Sequence, residues 1–357
     1  MEKGKIKKLI NNENVLIGIV IVLVLLIVLL SLKPDLINSL KGDGKYSLEV
    51  IKIEGCSECF DLSSISANLE ELNNVKIKEE KTLEYNSEEA RKLIDKYKIQ
   101  RIPALIVSSG SIDKVKLDEN FFRKEKNVAI FDKPVPYLEL SSGQVKGIVN
   151  LKEVYDSSCK DCTSLSDIKT QLERIQFKVS NYEMVDSKSD EGKNLISENN
   201  ITYLPTLLVS KEIEEYWWIF PQIQKSFSEY DSYYRFSEPF FPYKEISTGL
   251  IKGKVTITYI TNKSCTDCYN VTLLKDLFAG AGIYISGEKY VDSNTAEGKS
   301  LLIKYNITVI PTVILSKEIS DYETIKDVLD KVGTFENNEY VFRNLDVLKV
   351  KYQKIGG

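Results

Sequence analysis

The chain has 357 residues and carries 48 lysines and arginines, 52 aspartates and glutamates, and no histidine. The charges are nearly balanced and lack the basic excess typical of nucleic-acid binding, so we expect no nucleic-acid partner. Without histidine, the commonest proton shuttle and the commonest zinc ligand are missing, and any chemistry rests on cysteine, carboxylate, lysine or tyrosine side chains. At roughly 150 residues per domain, the length predicts two or three domains.

The first predicted element is a transmembrane helix. Residues 15–32 are apolar and uncharged over a length that spans a bilayer, and we assign residues 14–32 to the anchor. A cleaved signal peptide is the alternative, but Lys33-Pro34-Asp35 offers no small-residue cleavage site. Four lysines before the span predict a cytoplasmic N-terminus over residues 1–13 and an extracytoplasmic body. One proline and two glycines predict a linker over residues 33–44.

The six cysteines fall into three Cys-x-x-Cys pairs. The first cysteines stand at positions 56, 159 and 265, a period of about 105 residues, which indicates repeated whole domains. A proline followed by an apolar run comes after each pair at a nearly constant distance. We therefore predict three domains, over residues 45–133, 134–240 and 241–357. The cysteines are Cys56 and Cys59, Cys159 and Cys162, and Cys265 and Cys268, and the prolines are Pro103, Pro205 and Pro311.

Each repeat shows the same order of predicted elements. A β-branched, aromatic-rich run such as residues 254–261 predicts a strand before the cysteines. Apolar residues three and four apart after them, from Leu165 to Ile175, predict an amphipathic helix. A second helix, an apolar strand after the proline, and a final helix over Ile319–Leu329 complete the pattern. This order predicts an α/β fold, with helices on both faces of a mixed sheet.

This combination resembles the thioredoxin superfamily. The likeness rests on a strand, a Cys-x-x-Cys pair predicted to open a helix, and an Ile-Pro-Thr type segment before an apolar strand, three times over residues 45 to 345. The resemblance implies three tandem thioredoxin-like α/β/α domains after the anchor. It also implies that the three prolines are cis and face the cysteines. The backbone of the preceding residues is then expected to pair with an extended substrate, which makes the substrate-binding candidates Ile102 and Pro103, Leu204 and Pro205, and Ile310 and Pro311.

The chain departs from the thioredoxin pattern in two ways. The residues before the cysteine pairs are Gly55, Ser158 and Ser264, where thioredoxin carries tryptophan. The buried acid that thioredoxin has six residues before its first cysteine is matched only by Glu153. Val50 and Tyr259 take that place in the other repeats.

The cysteine pairs allow three interpretations. In the redox interpretation, a helix N-terminus stabilises the thiolate of Cys56, Cys159 and Cys265, and the second cysteine of each pair resolves the mixed disulfide. In the structural interpretation the pairs are inert disulfides, although a four-residue loop stabilises a fold by only about 2 kcal/mol. In the metal interpretation each site offers two sulfurs, whereas zinc normally takes four ligands. The first is favoured, with no metal and no organic cofactor.

Two further features have competing explanations. Glu58, Asp161 and Asp267 precede the second cysteines, where an acid either raises the thiol pKa or complements a helix dipole. Trp217 and Trp218 belong to an aromatic-rich stretch that either forms a peptide-binding or inter-domain surface or packs within the repeat, and packing is favoured.

The sequence therefore predicts a membrane-tethered, extracytoplasmic thiol–disulfide oxidoreductase. Its partners would be cysteine-containing exported proteins, the membrane through the N-terminal helix, and a membrane redox partner that recycles the pairs. The alternative is a non-catalytic binding or scaffold ectodomain, in which thioredoxin-like folds carry inert disulfides.

Overall fold

The computed structural model describes residues 46–72 and 75–355. The predicted cytoplasmic segment 1–13, the anchor 14–32 and the linker 33–44 lie outside this part of the chain. Among the helices of the described residues, none combines the length and the apolar character needed to cross a membrane.

The first repeat forms a mixed five-stranded sheet. Its elements are β1 (Tyr46–Glu54), α1 (Ser63–Leu72), β2 (Val75–Glu84), α2 (Glu88–Tyr97), β3 (Arg101–Ile102), β4 (Ala104–Ser108), β5 (Arg123–Glu125) and β6 (Val128–Phe131). The strand order is β2-β1-β4-β6-β5. β1 is parallel to β2 and antiparallel to β4, and β6 is antiparallel to both β4 and β5.

The same sheet recurs in the other two repeats. A hairpin of β7 (Tyr137–Glu139) and β8 (Gln144–Lys146) leads into the second. The second repeat contains β9 (Ile148–Tyr155), α3 (Ile168–Arg174), β10 (Lys178–Asp186), α4 (Asp190–Glu198), β11 (Tyr203–Leu204), β12 (Thr206–Ser210), α5 (Phe220–Ile223), β13 (Phe227–Glu229) and β14 (Tyr233–Phe236). Its strand order, β10-β9-β12-β14-β13, matches that of the first.

A second hairpin, of β15 (Tyr243–Glu245) and β16 (Ile251–Lys252), leads into the third repeat. That repeat contains β17 (Val255–Thr261), α6 (Leu273–Gly280), β18 (Ile285–Asp292), α7 (Ala296–Lys304), β19 (Val309–Ile310), β20 (Thr312–Leu315), α8 (Lys326–Val332), β21 (Gly333–Glu336), β22 (Glu339–Phe342) and β23 (Gln353–Lys354). Its strand order is β18-β17-β20-β22-β21. The α/β class and the mixed sheet expected from the sequence are present in every repeat.

Each sheet is buried on both faces because the strand that follows the cis proline is an almost continuous apolar run. In β4, Leu105 and Val107 belong to one core cluster, while Ala104 and Ile106 belong to a second cluster on the opposite face. Successive side chains of a strand point to opposite faces, so a continuous apolar run serves two layers. The other two repeats likewise have two clusters each.

Local chemistry explains where the second helix of each repeat begins. Ser87, Ser189 and Thr295 cap α2, α4 and α7, and each side-chain oxygen accepts a hydrogen bond from a backbone N–H in the first turn. At Gly192 and Gly298, an added Cβ would lie 2.1 Å from the carbonyl oxygen of Asp186 or Asp292. The Glu-Gly-Lys motif shared by the last two repeats therefore reflects close packing of helix against strand.

The predicted final helix is shorter than expected. In the third repeat, the stretch from Ile319 contains two 3-10 helices, Lys317–Asp321 and Glu323–Ile325, and α8 begins only at Lys326. Tyr322 separates the two 3-10 helices, because its hydroxyl donates to the Gly253 carbonyl and its ring stacks on Phe241. Tertiary contacts have here overridden the helical periodicity.

The hairpins pair across the predicted domain boundaries at residues 134 and 241. β7 is antiparallel to β3 of the first repeat, and β15 is antiparallel to β11 of the second. In the third repeat β23 pairs with β19 in the same way. The boundaries themselves stay predictions, but strand pairing continues past each of them.

Candidate active site: three cysteine turns and their proline strands

All three Cys-x-x-Cys pairs are disulfide-bonded, and each lies in a turn after the first strand of its repeat. The Cα–Cα distances are 5.4 Å for Cys56–Cys59 and 5.5 Å for the other two pairs. All six cysteines are half-buried, so no sulfur is sealed inside a core. A four-residue turn with accessible sulfur is a geometry in which a visiting thiol can reach the disulfide.

The expectation that each cysteine pair opens a helix is wrong. The first helices begin later, at Ser63, Ile168 and Leu273. The N–H of the residue after the second cysteine explains the delay, because it donates to a separate chain segment. Phe60 donates to the Pro136 carbonyl at 2.8 Å, Thr163 to the Pro242 carbonyl at 2.8 Å and Tyr269 to the Lys351 carbonyl at 2.9 Å. A helix dipole acts within its first turn, so it provides little stabilisation for a thiolate at the first cysteine.

The three prolines have the isomer that the resemblance implied, and their facing the cysteines stays a prediction. The bonds Ile102–Pro103, Leu204–Pro205 and Ile310–Pro311 are cis, which confirms the expected isomer. Two further cis bonds, Val135–Pro136 and Phe241–Pro242, were missed by the sequence reasoning. In the third repeat a side chain links the cysteine turn to the proline strand directly, because the Tyr269 hydroxyl donates to the Pro311 carbonyl at 3.0 Å.

The backbone expected to receive a substrate is paired with the chain itself. Ile102 lies opposite Leu138, Leu204 opposite Lys244, and Ile310 opposite Gln353. The segments that contain Leu138, Lys244 and Gln353 also carry the carbonyls that bind the residue after the second cysteine. Each internal strand thus contacts both the cysteine turn and the proline strand.

The three turns begin with different residues. In the first repeat Gly55 has φ +128°, and a Cβ there would lie 2.6 Å from Cδ1 of Tyr85. In the second, Asp156 Oδ1 accepts from the Ser158 N–H at 2.9 Å. In the third, Asn262 Oδ1 accepts from the Ser264 N–H at 3.0 Å. Glycine is needed where the backbone is left-handed, and Asx turns serve where it is not.

Asp156 makes the second turn the most highly charged of the three. Its carboxylate is buried and lies 2.6 Å from Nζ of Lys244 and 3.0 Å from Nζ of Lys188. Burial raises the pKa of Asp156, but hydrogen bonds from Lys244, Ser158 and Lys188 outweigh burial and hold the pKa below its usual range. The carboxylate is therefore ionised, and two ammonium groups stand close to the Cys159 turn.

Glu153 is the buried acid of the second repeat. It is 1% exposed and accepts a hydrogen bond from the hydroxyl of Tyr182 on the neighbouring strand. Burial raises its pKa, and the hydrogen bonds from Tyr182 and from the Leu165 backbone lower it by less. The group is thus poised to hold a proton above the ordinary carboxyl range.

The third repeat has the same pair of groups with the strands exchanged. The hydroxyl of buried Tyr259 donates to Glu288 on the neighbouring strand at 3.2 Å. A hydrogen bond from Lys275 lowers the pKa of Glu288. The carboxylate therefore lies at the sheet edge instead of in the core, and no buried proton carrier stands at the Tyr259 position.

The acids before the second cysteines lie on the surface. Glu58, Asp161 and Asp267 are all exposed. Asp161 pairs with Lys254 at 2.9 Å, and Asp267 lies 3.7 Å from Lys351. Because none of these residues lies in a helix, the dipole explanation for them is wrong. The other explanation, an effect on the thiol pKa, stays a prediction.

The aromatic stretch is used for packing. Trp217 lies 5.1 Å from Phe121 of the first repeat and 5.5 Å from Trp218, measured between ring centroids. Its Nε1–H donates to the Lys133 carbonyl at 3.4 Å. Trp217 and Trp218 also pack against the core cluster of their own repeat, so the stretch serves both packing and an inter-domain contact. Peptide binding by this surface stays a prediction.

The sequence reasoning missed the third internal strand. Pro136-Tyr137 and Pro242-Tyr243 form a repeated block in the sequence, but Lys351-Tyr352 has no proline to mark it. The tyrosine was the available signal, since Tyr352 precedes Gln353 just as Tyr137 precedes Leu138. Within residues 46–72 and 75–355, no cluster of three or more potential metal ligands occurs.

Comparisons with known proteins find a weak similarity to solved structures. No family model and no curated protein matches the chain. Among solved structures, the NTD_N/C domain of alkylhydroperoxide reductase AhpF from Enterococcus faecalis is 16% identical, with 49% of this chain and 88% of that chain covered and a TM-score of 0.17. Full-length ERdj5 is 12% identical over 88% of this chain, which spans only 44% of ERdj5, with a TM-score of 0.17. Human ERp44 is 10% identical, with coverages of 89% and 87% and a TM-score of 0.15.

These neighbours are thioredoxin-fold proteins. At such TM-scores they carry no argument about this chain. The resemblance to the thioredoxin superfamily therefore depends on features of this chain alone, namely its strand order, cis prolines and cysteine pairs.

Proposed function

We propose that this chain is a membrane-tethered, extracytoplasmic thiol–disulfide oxidoreductase that acts on cysteine-containing exported proteins. The observation that carries the proposal is the threefold recurrence of a half-exposed four-residue disulfide turn joined, through one strand, to a cis-proline segment. Disulfides used only as staples gain more from longer loops, since a four-residue loop contributes about 2 kcal/mol.

The chemistry needs only the cysteine pair. A client thiolate attacks one sulfur of the site disulfide, which forms a mixed disulfide and frees the other site cysteine as a thiolate. A second client thiolate then attacks the mixed disulfide. The client leaves with a disulfide, and the site keeps two electrons and two protons as a dithiol. A membrane redox partner would take up these electrons, and the reverse sequence would reduce a client.

The second repeat has the best-equipped site. Glu153 offers a protonatable carboxyl on the strand that leads into the turn, and two ammonium groups lie at Asp156. Positive charge near a cysteine favours its thiolate, which is both the nucleophile and the better leaving group. We therefore place the fastest exchange at Cys159 and Cys162.

Trapping tests the chemistry. Cys59→Ser, Cys162→Ser and Cys268→Ser, made separately in the full chain, leave a first cysteine that holds a client as a mixed disulfide. The matched controls are the double variants in which both cysteines of a pair are serine. We expect client adducts in the single variants, most abundant for Cys162→Ser. A complete lack of adducts in all three variants would falsify the enzymatic function.

The location is tested independently of the chemistry. A membrane-impermeant thiol reagent applied to intact cells after mild reduction should label the cysteines, and deletion of residues 1–32 should release the body from membranes. Labelling only after the cells are broken would contradict the extracytoplasmic placement, whatever the trapping shows.

A specific observation also favours a second candidate, the scaffold ectodomain. Each proline strand that should receive a client is paired with an internal strand. Alkylation separates the two candidates. After mild reduction, an oxidoreductase exposes one fast-reacting cysteine per active pair, whereas inert disulfides resist reduction and alkylate only on unfolding.

A further inference from the structure

In every repeat an equivalent short segment, here called the closing strand, pairs with the proline strand and binds the cysteine turn. In each, one carbonyl accepts from the residue after the second cysteine, the next residue is tyrosine, and the one after it lies opposite the residue before the cis proline. Two residues further on, a backbone N–H donates back to the chain before the proline strand, at 3.0 Å for Leu140, 2.9 Å for Ile246 and 2.9 Å for Ile355. The three closing strands are Pro136–Leu140, Pro242–Ile246 and Lys351–Ile355.

The side-chain contact that fixes each closing strand differs. In the first repeat Leu138 packs in the cluster of Ile53, three residues before Cys56. In the second, Lys244 forms its ion pair with Asp156, three residues before Cys159. In the third, Nδ2 of Asn262 donates to Oε1 of Gln353 at 2.5 Å. One position thus uses an apolar, an ionic and an amide contact in turn.

The first closing strand, and the residue that precedes the second, are also held by the repeat that follows. Tyr137 donates to Glu215 at 2.8 Å, and the Tyr216 hydroxyl donates to the Gly147 carbonyl at 2.9 Å. At the next junction Phe241 stacks on Tyr322, with ring centroids 3.9 Å apart. Moving either strand therefore disrupts a junction between two repeats.

The closing strand of the third repeat has weaker support. Lys351, Gln353 and Lys354 are exposed. Two residue pairs join β23 to β19, as in the other repeats, but among the described residues β23 has no second hairpin strand beside it, whereas β7 pairs with β8 and β15 with β16. Tyr352 donates to Asp346 at 2.7 Å on the surface. Tyr352 and Ile355 are half-buried and pack at the margins of two core clusters. A two-stranded edge with exposed backbone hydrogen bonds opens at a lower free-energy cost than a strand inside a three-stranded sheet.

We propose that residues 351–355 are a displaceable strand that competes with an extended client peptide for the groove of the third repeat. The proposal rests on the proposed function for the identity of the client, and it adds the regulation of the site. A client strand would pair with the backbone of Ile310 and accept the Tyr269 N–H in place of Lys351. A client that replaces this strand would therefore be an extended peptide with an aromatic residue followed by an amide residue, as in Tyr352-Gln353. The first two grooves stay closed unless their repeats separate.

Hydrogen exchange and peptide binding test the proposal on the purified full chain, with no redox step. In the unaltered protein we expect the Tyr269 amide to exchange at least about tenfold faster than those of Phe60 and Thr163. The probe is a labelled synthetic peptide with the sequence of residues 349–355. Ile355→Pro removes the N–H that donates to Thr308, and Ile246→Pro removes the matching donor to Thr202 in the second repeat.

We expect Ile355→Pro to tighten peptide binding about fivefold, as the loss of roughly one competing hydrogen bond predicts, and Ile246→Pro to leave it unchanged. Gln353→Ala removes the amide contact at an exposed position, and should tighten binding about threefold without affecting the fold. Two results would overturn the proposal. One is equal protection of the Tyr269 and Thr163 amides from hydrogen exchange, and the other is peptide binding that neither Ile355→Pro nor Gln353→Ala alters.

The outcomes also separate this proposal from the function itself. Peptide binding that the variants tighten, without client adducts, would support the displaceable strand and contradict the enzymatic function. Client adducts at Cys265 that are equally abundant with and without Ile355→Pro would support the enzymatic function and contradict the displaceable strand.

Discussion

The second and third repeats have the same sheet topology, the same cysteine spacing and the same contact between a tyrosine and a glutamate on neighbouring strands, yet they place the glutamate differently. The second buries Glu153 against a tyrosine from the neighbouring strand, and the third buries Tyr259 against an acid at the edge. The turns differ in the same direction, because Asp156 is ion-paired where Asn262 is neutral. The fold fixes where two polar groups meet, and the choice of residue decides whether the site holds a buried proton.

The largest expected effect comes from the buried carboxylate at the second turn. Asp156→Ala leaves Lys244 without its buried partner, and should lower the stability of the second repeat by about 3 kcal/mol. Asn262→Ala in the third repeat removes neutral hydrogen bonds, at about 1 kcal/mol. Native-state hydrogen exchange of the β9 and β17 amides measures each repeat separately. Equal losses in the two repeats would contradict the difference in charge.

The aromatic contact at the junction comes next. Trp217→Ala should cost about 2 kcal/mol, less than for a fully buried tryptophan because the side chain is half-buried. The matching position in the third repeat is Glu323, where alanine should change stability little. Thermal unfolding gives the stability, and client trapping by Cys162→Ser provides the functional control. Lost trapping with unchanged unfolding would point to peptide binding by Trp217.

The pH dependence of stability should have opposite signs in the two repeats. The folded pKa of Glu153 lies above its ordinary value of 4.5, so its contribution is present at low pH and is lost as the pH rises through the raised pKa. The pKa of Glu288 is lowered, so its smaller contribution is present above 4.5 and is lost as the pH falls. Hydrogen exchange of β9 and β17 across this range measures both. Glu153→Gln should abolish the first dependence and leave the second, and a β9 dependence that survives the substitution would exclude Glu153 as its source.

Surface ion pairs should matter least. Lys254→Ala breaks the pair with Asp161, and Lys351→Ala breaks the longer contact with Asp267. Both involve exposed groups that salt screens, so each should change stability by less than about 0.5 kcal/mol. Unfolding at low and high salt measures the effect. A larger loss for Lys254→Ala at high salt would show that its side chain contributes by packing.

Much of the architecture could be predicted from spacing. The cysteine period and the prolines gave three α/β repeats, and apolar runs such as β12 gave their central strands. The late start of the helices could not be predicted, because it depends on the N–H of Phe60 binding a carbonyl far along the chain. Two-residue strands such as β3 carry no periodic pattern, so tertiary contacts set their register.

The hairpin β7–β8 belongs to the sheet of one repeat and is hydrogen-bonded to the next, which decides how the protein can be divided. A fragment that stops at residue 133 would leave the edge of Ile102 and the amide of Phe60 bare, and bare strand edges recruit other chains into aggregates. A first-repeat fragment for redox titration should therefore run through Lys146, and a second-repeat fragment through Lys252.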